Sequence, residues 1–263
     1  MTQREKGERF RALHEGAPFV IPNPWDAGSA RALVALGFPS LATTSSGFAF
    51  TLGRPDGAVT LDELISHVAA ICGAVDVPVS VDLENGLGPA PSDAASAISR
   101  AAGAGAVGGS IEDWDRDGAY LYGVDEAAAR VAAAVEAARA LPFPFTVTAR
   151  AENHIRGNPD LDDTIARLQA YERAGADVLY APGLDSAAEI AAVRAAVSKP
   201  LNVLARPHLT AAEIFAAGAQ RISVGGSLAW VAYSALARAA TRIRDDGDLS
   251  VLGVRPPIES WLA

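Results

Sequence analysis

Short apolar runs alternate along the chain with longer, Ala-rich stretches whose polar residues recur at helical spacing. The runs fall at residues 19–22, 40–44, 78–82, 106–111, 145–149, 177–181, 201–205 and 221–224. Between and after them the spacing predicts helices over 27–36, 61–74, 92–104, 125–140, 161–174, 186–197, 210–217 and 227–244. Segments such as VPVSVDL and FPFTVTAR are close to continuously apolar. That pattern suits parallel strands buried on both faces rather than half-exposed antiparallel ones. Helix starts carry capping signals: Thr60 stands three residues before Glu63, and Asp160 and Thr210 are similarly placed. Gly-Ala pairs at 103–104, 105–106, 175–176 and 218–219 precede the next run, where glycine accepts the left-handed conformation that closes a helix. Eight strand–helix units in series predict a (β/α)8 TIM barrel over an open doubly wound sheet.

No linker-like stretch divides the chain, so residues 1–263 are expected to form one domain with its core at about 10–245. Residues 253–263, with Pro256-Pro257 and Trp261, read as a short irregular tail. His14 and His67 read as surface helix residues, and Cys72 as a small buried hydrophobe inside the 61–74 helix. The length of 263 residues matches the roughly 250 that such a barrel needs. The formal net charge of −9 makes nucleic acid an unsuitable partner, since an acidic surface repels phosphate backbones. It still permits a small anionic ligand where a cationic pocket or a metal reverses the local field. One cysteine excludes an intrachain disulfide and any multi-cysteine zinc site. The opening MTQREKGERF lacks the apolar stretch of a signal peptide, and no run approaches the ~20 apolar residues of a membrane span. The expectation is a cytoplasmic protein with no membrane contact.

In a barrel of this kind chemistry gathers at the C-terminal ends of the strands. The third run ends in Asp82-Leu83-Glu84-Asn85-Gly86 and the fourth in Glu112-Asp113. Asp82 and Glu84, two apart, share one face of an extended segment, and a neighbouring strand end would bring Glu112 beside them. Three clustered carboxylates repel unless a cation sits among them. With oxygen donors alone, magnesium, or manganese, is the natural ion. The plainer alternative is that Asp82 merely ends a strand and Asp113 caps a helix. Arg150, at the end of the fifth run, suits bidentate binding of a substrate carboxylate, or else a structural ion pair with those acids. Ser45, Ser46, Gly47 and Phe48 follow the second run, where small residues let backbone N–H groups approach an anion. Asp56 lies in a Pro-Asp-Gly turn sequence. Asn23, Trp25, Asp26, Tyr180, Asn202, Arg206 and His208 follow or lie within other runs.

Together, PNPWDAGSA, TTSSGFAFTLGRPDG, PVSVDLENGLG, GSIED, TARAENHIRGNPDLDDTIARLQAYERAGADVLYAPG and PLNVLA resemble the isocitrate lyase/phosphoenolpyruvate mutase superfamily over about residues 10–245. The resemblance implies a (β/α)8 barrel, often with its last helix exchanged between subunits, and a homo-oligomer (dimer or tetramer). It implies that Asp82, Glu84 and Glu112 hold Mg²⁺ directly or through water, although Asp is commoner where Glu84 stands. It implies that Asp56 is the loop aspartate beside the metal and that Ser46, Gly47 and Phe48 bind a carboxylate or oxyanion. Arg150 would pair with the substrate and Trp25 would line the pocket. The superfamily's lyases carry a catalytic cysteine on the loop after the fourth strand. Here that loop reads Trp114-Asp115-Arg116-Asp117-Gly118-Ala119-Tyr120, and the mutase's Lys and Asn are missing from it too. The remaining acids are Tyr120, Tyr122, Tyr180, Glu152, His154 and His208.

The expected function is a Mg²⁺-dependent (or Mn²⁺-dependent) lyase cleaving a C–C bond in a small 2-oxo or 2-hydroxy di- or tricarboxylate, such as oxaloacetate or a methylisocitrate-like acid. One alternative on the same fold is phosphonate P–C chemistry. An alternative of another class is a non-catalytic barrel that binds a 2-oxo acid.

Overall fold

The computed structural model describes residues 1–262. A first helix, α1 (Gln3–Glu15), precedes the alternating units and is fixed by a capping box between Thr2 and Glu5. The units then run β1 (Phe19–Ile21), α2 (Ala27–Ala35), β2 (Leu41–Ala42), α3 (Ser45–Thr51), α4 (Leu61–Ala74), β3 (Val79–Asp82), α5 (Pro91–Gly103) and β4 (Gly108–Glu112). A small antiparallel hairpin, β5 (Trp114–Asp115) and β6 (Tyr120–Leu121), follows β4 where the pattern had suggested only a loop. The chain continues through α6 (Val124–Arg139), β7 (Thr146–Arg150), a 3₁₀ turn (His154–Arg156), α7 (Leu161–Arg173), β8 (Val178–Tyr180), α8 (Ala187–Ala196), β9 (Leu201–Leu204), α9 (Ala211–Ala216) and β10 (Arg221–Ser223). It finishes with α10 (Ser227–Asp246), a 3₁₀ turn (Ser250–Gly253) and α11 (Ile258–Leu262).

Eight strands form one parallel sheet in the order β1-β10-β9-β8-β7-β4-β3-β2. The ring meets at β1 and β2, where the Ala42 N–H donates to Pro22 O at 3.1 Å. The side chain of Asn23 staples this seam. Its amide donates to Thr43 O at 3.1 Å, and its carbonyl accepts from the N–H groups of Val224 and Gly225, each at 2.9 Å. The result is the (β/α)8 TIM barrel that the pattern predicts. Thr60, Asp160 and Thr210 cap α4, α7 and α9 as their spacing suggests. Of the Gly-Ala pairs, Gly105, Gly175 and Gly218 adopt positive φ, whereas Gly103 is the last residue of α5.

Apolar side chains fill the layer between sheet and helices. Leu168 and Tyr171 of α7 meet Leu179 and Ile190, and Ile98 of α5 meets Val81, Leu83 and Phe145. Burying each such side chain stabilises the fold by about 1.5–3 kcal/mol. The last long helix, α10, departs from this plan. Only Ala229 is buried on it, while Trp230, Val231 and Leu236 are each more than 60% exposed. The C-terminal residues are not an irregular tail: α11 folds back on α2 of its own chain, where Arg31 Nη1 donates to Leu262 O at 2.5 Å.

His14 and His67 are not surface residues. α1 lies across the barrel, and its Phe10–His14 face turns inward. His67 is buried on α4, stacked on Phe48 at 3.8 Å between ring centroids, and its Nε2 is 2.9 Å from Trp25 O. Cys72 is free and partly buried on α4, and burial pushes its thiol up to about 11.

Candidate active site

The acidic cluster forms where β3, β4 and β7 end side by side. The register pairs Asp82 with Ser110 and Glu112 with Arg150. Asp82 is the last residue of β3. Its N–H donates to Thr43 Oγ1 at 3.0 Å, and its carboxylate accepts from the N–H of Ser45 at 3.3 Å. Glu84 does not share an extended face with Asp82. Its φ is +51°, a left-handed conformation that a side chain rarely adopts. The turn is held from both sides. The Glu112 N–H donates to Glu84 O at 2.8 Å. From α6, the fully buried Arg130 donates to the carbonyls of Asn85, Gly88 and Pro89 at 2.5–2.7 Å. Glu84 is thereby folded back beside Glu112 instead of pointing along the strand.

Three guanidiniums meet these acids. Arg150 Nη1 lies 3.4 Å from Glu112 and 3.9 Å from Asp82, and its Nε bonds Glu152. Arg156 pairs with Glu152 at 2.8 Å, reaches Glu112 at 3.9 Å and stacks on Trp114. Arg116, on the β5–β6 hairpin, pairs with Glu84 at 2.6 Å. It lies so close to Gly57 that a Cβ there would overlap its guanidinium. Burial pushes Glu84 up to about 7 against the pull of Arg116, with Asp82 and then Asp56 adding to the rise. Burial also raises Glu112 well above the carboxylate range, helped by Glu152, Asp82 and Glu84 and opposed by Arg150. Arg150 stays charged because Glu152 and Glu112 outweigh the cost of its own burial.

The donor set suits a hard divalent cation. Four carboxylates (Asp82, Glu84, Glu112 and Glu152) meet three guanidiniums, so acids outnumber cations by one, with Asp56 close by on its exposed loop. The three predicted ligands are engaged with arginines, and among the described residues no three acids, histidines or cysteines are gathered closely enough to form a finished metal cage.

Beneath the acids, a cavity of about 50 Å³ opens into the barrel. It is lined by Asp82, Arg150, Tyr180, Asn202 and Ser223, with Arg221 below. At about 10–15 Å³ for each water, it holds only a few waters. The Arg221 guanidinium is buried without a carboxylate. It donates to Asn202 Oδ1 at 2.8 Å, to Thr148 Oγ1 at 3.1 Å and to His14 Nε2 at 3.1 Å. The Asn202 amide in turn donates to Ser223 Oγ at 3.0 Å.

Of the residues singled out in the sequence, Asn23, Asp82, Arg150, Tyr180 and Asn202 line the cavity, whereas Glu84 and Glu112 do not line it but lie close enough to Asp82 for their charges to interact. Asp56 is exposed on its loop but near enough to Glu84 to raise its pKa. Ser45 to Phe48 form the first turns of α3 rather than an open loop. The Gly47 N–H is taken by the Thr44 cap and the Phe48 N–H by Thr44 O, so neither is free for an anion. Gly47 is small for a packing reason, since a Cβ would come within 2.9 Å of Trp25. Phe48 stacks on His67, whose Nε2 meets the Trp25 carbonyl, and neither Phe48 nor Trp25 lines the cavity. Asp113 caps no helix. It accepts from Tyr171 Oη at 2.6 Å, Arg167 at 2.9 Å and the Glu152 N–H at 2.7 Å, tying β4 to α7. Arg116, Arg130, Arg156 and Arg221 carried no sequence signal for this site. Glu152 appeared only among the acids, although its i,i+4 spacing to Arg156 was readable.

A family model described as phosphoenolpyruvate phosphomutase matches residues 10–244. The chain belongs to the isocitrate lyase/phosphoenolpyruvate mutase superfamily. Its function accordingly lies within the lyase and mutase chemistry of that superfamily. The oxaloacetate decarboxylase of Bradyrhizobium diazoefficiens is 32% identical over 233 residues, which cover 85% of this chain and 79% of the relative. Among solved structures, a candidate lyase/mutase from Burkholderia cenocepacia J2315 superposes with a TM-score of 0.95 at 53% identity, covering 98% of this chain and 96% of that one. Phosphonopyruvate hydrolase, solved with oxalate and Mg²⁺, superposes with a TM-score of 0.86 at 25% identity, covering 98% and 93% of the two chains.

Proposed function

We propose that the protein is a Mg²⁺-dependent lyase that breaks a C–C bond in a small 2-oxo or 2-hydroxy acid, with oxaloacetate, decarboxylated to pyruvate, the favoured substrate. The observation that carries this reading is the cluster of acids that outnumbers its arginines at the strand ends, beside a cavity lined by Arg150, Arg221 and Asn202. The similarity to oxaloacetate decarboxylases supports a four-carbon acid over a tricarboxylate.

Asp82, Glu84 and Glu112 would hold Mg²⁺, or Mn²⁺, with Asp56 beside them. When bound, the ion supplies a Lewis acid for the 2-oxo group. Arg150, permanently charged and partly open to the cavity, would take the substrate carboxylate. Ser45 and Ser46, at the start of α3, present polar groups from the seam side. Asn202 is locked by Arg221 and Ser223, so its amide meets the substrate in one orientation. Arg116, on the hairpin, would hold Glu84 in place beside the other acids. The uncovered apolar face of α10 supports association with a second copy as a dimer or tetramer, with α10, the eighth helix of the barrel, exchanged between subunits.

The test is turnover of oxaloacetate, methylisocitrate and substituted malates with Mg²⁺ and with EDTA, beside phosphonopyruvate followed by ³¹P NMR. Metal-dependent release of pyruvate from oxaloacetate is expected, with a loss of at least ~100-fold in Asp82→Asn and no change to phosphonopyruvate. Failure of every carboxylate substrate in the presence of Mg²⁺ refutes the reading.

A further inference from the structure

Breaking a C–C bond beside a 2-oxo group leaves an electron pair that must be taken up by a proton. The loop after β4 offers no cysteine for this, and the thiol of Cys72 lies in α4, remote from the strand ends. The other acids are also poorly placed. Tyr120 is 48% exposed on the hairpin. The Tyr122 hydroxyl is committed, donating to Asp115 at 3.0 Å and accepting from Asn85 at 2.9 Å. His208 is exposed with its Nε2 2.8 Å from Asp185 O, and neither it nor His154 lines the cavity. Glu152 is fully buried beneath two arginines.

The cavity lining itself contains only two groups that release a proton in an accessible range, Asp82 and Tyr180. Its serines and threonines are too weakly acidic, and its arginines do not deprotonate. Asp82 belongs to the metal-holding set. Tyr180 is buried at the end of β8, with Arg150 Cζ 5.2 Å from its ring centroid, and it shares the lining with Arg221.

From this elimination and geometry we infer that Tyr180 is the acid that protonates the carbon left by C–C cleavage, an inference that rests on the lyase reading above. As the bond breaks, its electron pair enters the enolate of the 2-oxo fragment. The Tyr180 Oη–H proton then passes to that carbon, completing pyruvate when CO₂ leaves oxaloacetate. The phenolate that remains sits close to the guanidiniums of Arg150 and Arg221 and regains its proton from water. Burial raises the Tyr180 pKa, while Arg150 and then Ser223 work in the other direction. The resting side chain therefore carries its proton, and the cations stabilise the charge that appears when it is given away.

The test follows the reverse of this step. Pyruvate is incubated with Mg²⁺ and the wild-type or Tyr180→Phe protein in D₂O, methyl exchange is read by ¹H NMR, and oxalate affinity is measured by calorimetry. In Tyr180→Phe, exchange and oxaloacetate turnover should both fall ~100-fold or more, with oxalate affinity within about threefold of wild type, because the ring under Arg150 is retained. Exchange at the wild-type rate in the variant overturns the assignment. Loss of oxalate affinity alongside exchange also overturns it, because Tyr180 would then be a binding group. Absence of both exchange and turnover in the wild-type protein overturns the lyase reading and this one together.

Discussion

Replacing His14 by Gln removes the titratable side chain wedged against Arg221 at the inner end of the barrel. The ring is buried between Phe10 and Phe19. Its Nδ1 lies 2.8 Å from Phe10 O and its Nε2 3.1 Å from Arg221 Nη1. A carbonyl can only accept and a guanidinium can only donate, so the proton sits on Nδ1 and the ring is neutral. Burial, and then Arg221, lower its pKa from 6.5 to about 3. Above 6.5 the imidazole is neutral in both folded and unfolded chains, and it makes no difference to the pH dependence of stability. Below 6.5 the unfolded chain binds a proton that the native protein refuses, so stability drains away down to about pH 3. Each pH unit in that window is worth about 1.4 kcal/mol, so the passage from 6.5 to 5 costs about 2 kcal/mol. Urea unfolding at pH 7.5, 6.0 and 5.0, followed by circular dichroism, measures this directly. The wild-type protein should lose about 2 kcal/mol more than His14→Gln between the first and last condition, whatever the offset between the two at pH 7.5. Parallel stability profiles would refute the reasoning.

Other expectations concern the strand-end site. Because Glu84 is pushed up to about 7 and must shed its proton to hold a cation, Mn²⁺ affinity measured by calorimetry should rise several-fold from pH 6 to pH 8; equal affinities would contradict a ligand role for Glu84. Arg130→Ala removes the donors that satisfy three loop carbonyls and should destabilise the protein by about 3 kcal/mol in urea, within the range for charge-assisted hydrogen bonds. Gly57→Ala places a Cβ against the Arg116 guanidinium at a φ of +89°. It should dislodge the hairpin and make trypsin cut after Arg116 faster than in the wild-type protein, with no change at other sites.

The repeating units were readable because burial on both faces of a parallel strand and on one face of a helix leaves a periodic record. Asp82, Glu112 and Arg150 were readable as strand-end residues for the same reason. The helix α1 was not, although Thr2 and Glu5 form a capping box and Phe10 and His14 stand four apart; its charged beginning hid an inward face. Glu84 was identified but misplaced, because its left-handed turn depends on Arg130, 46 positions away in the chain and supplied by another helix. The Arg221–Asn202–Ser223 chain joins neighbouring strands, and its contact with His14 spans 207 positions. Such pairings are made by barrel closure and leave no local signal. The helical start at 45–48 was not readable, because a glycine that makes room for Trp25 looks, in sequence, the same as one that admits an anion.

The seam between β1 and β2 also bears on how the ring comes apart. Its strands are joined there by the Ala42–Pro22 backbone bond and the Asn23 clip, whereas neighbouring strands elsewhere share registered ladders. The cavity takes its walls from both banks of this joint: Ile21 and Asn23 on one side, Ala42, Thr43 and Thr44 on the other. A molecule lodged in it works as a rivet across the weakest part of the hoop. Occupancy would slow the opening of the whole barrel, and resistance to unfolding would report on substrate even when no bond is broken.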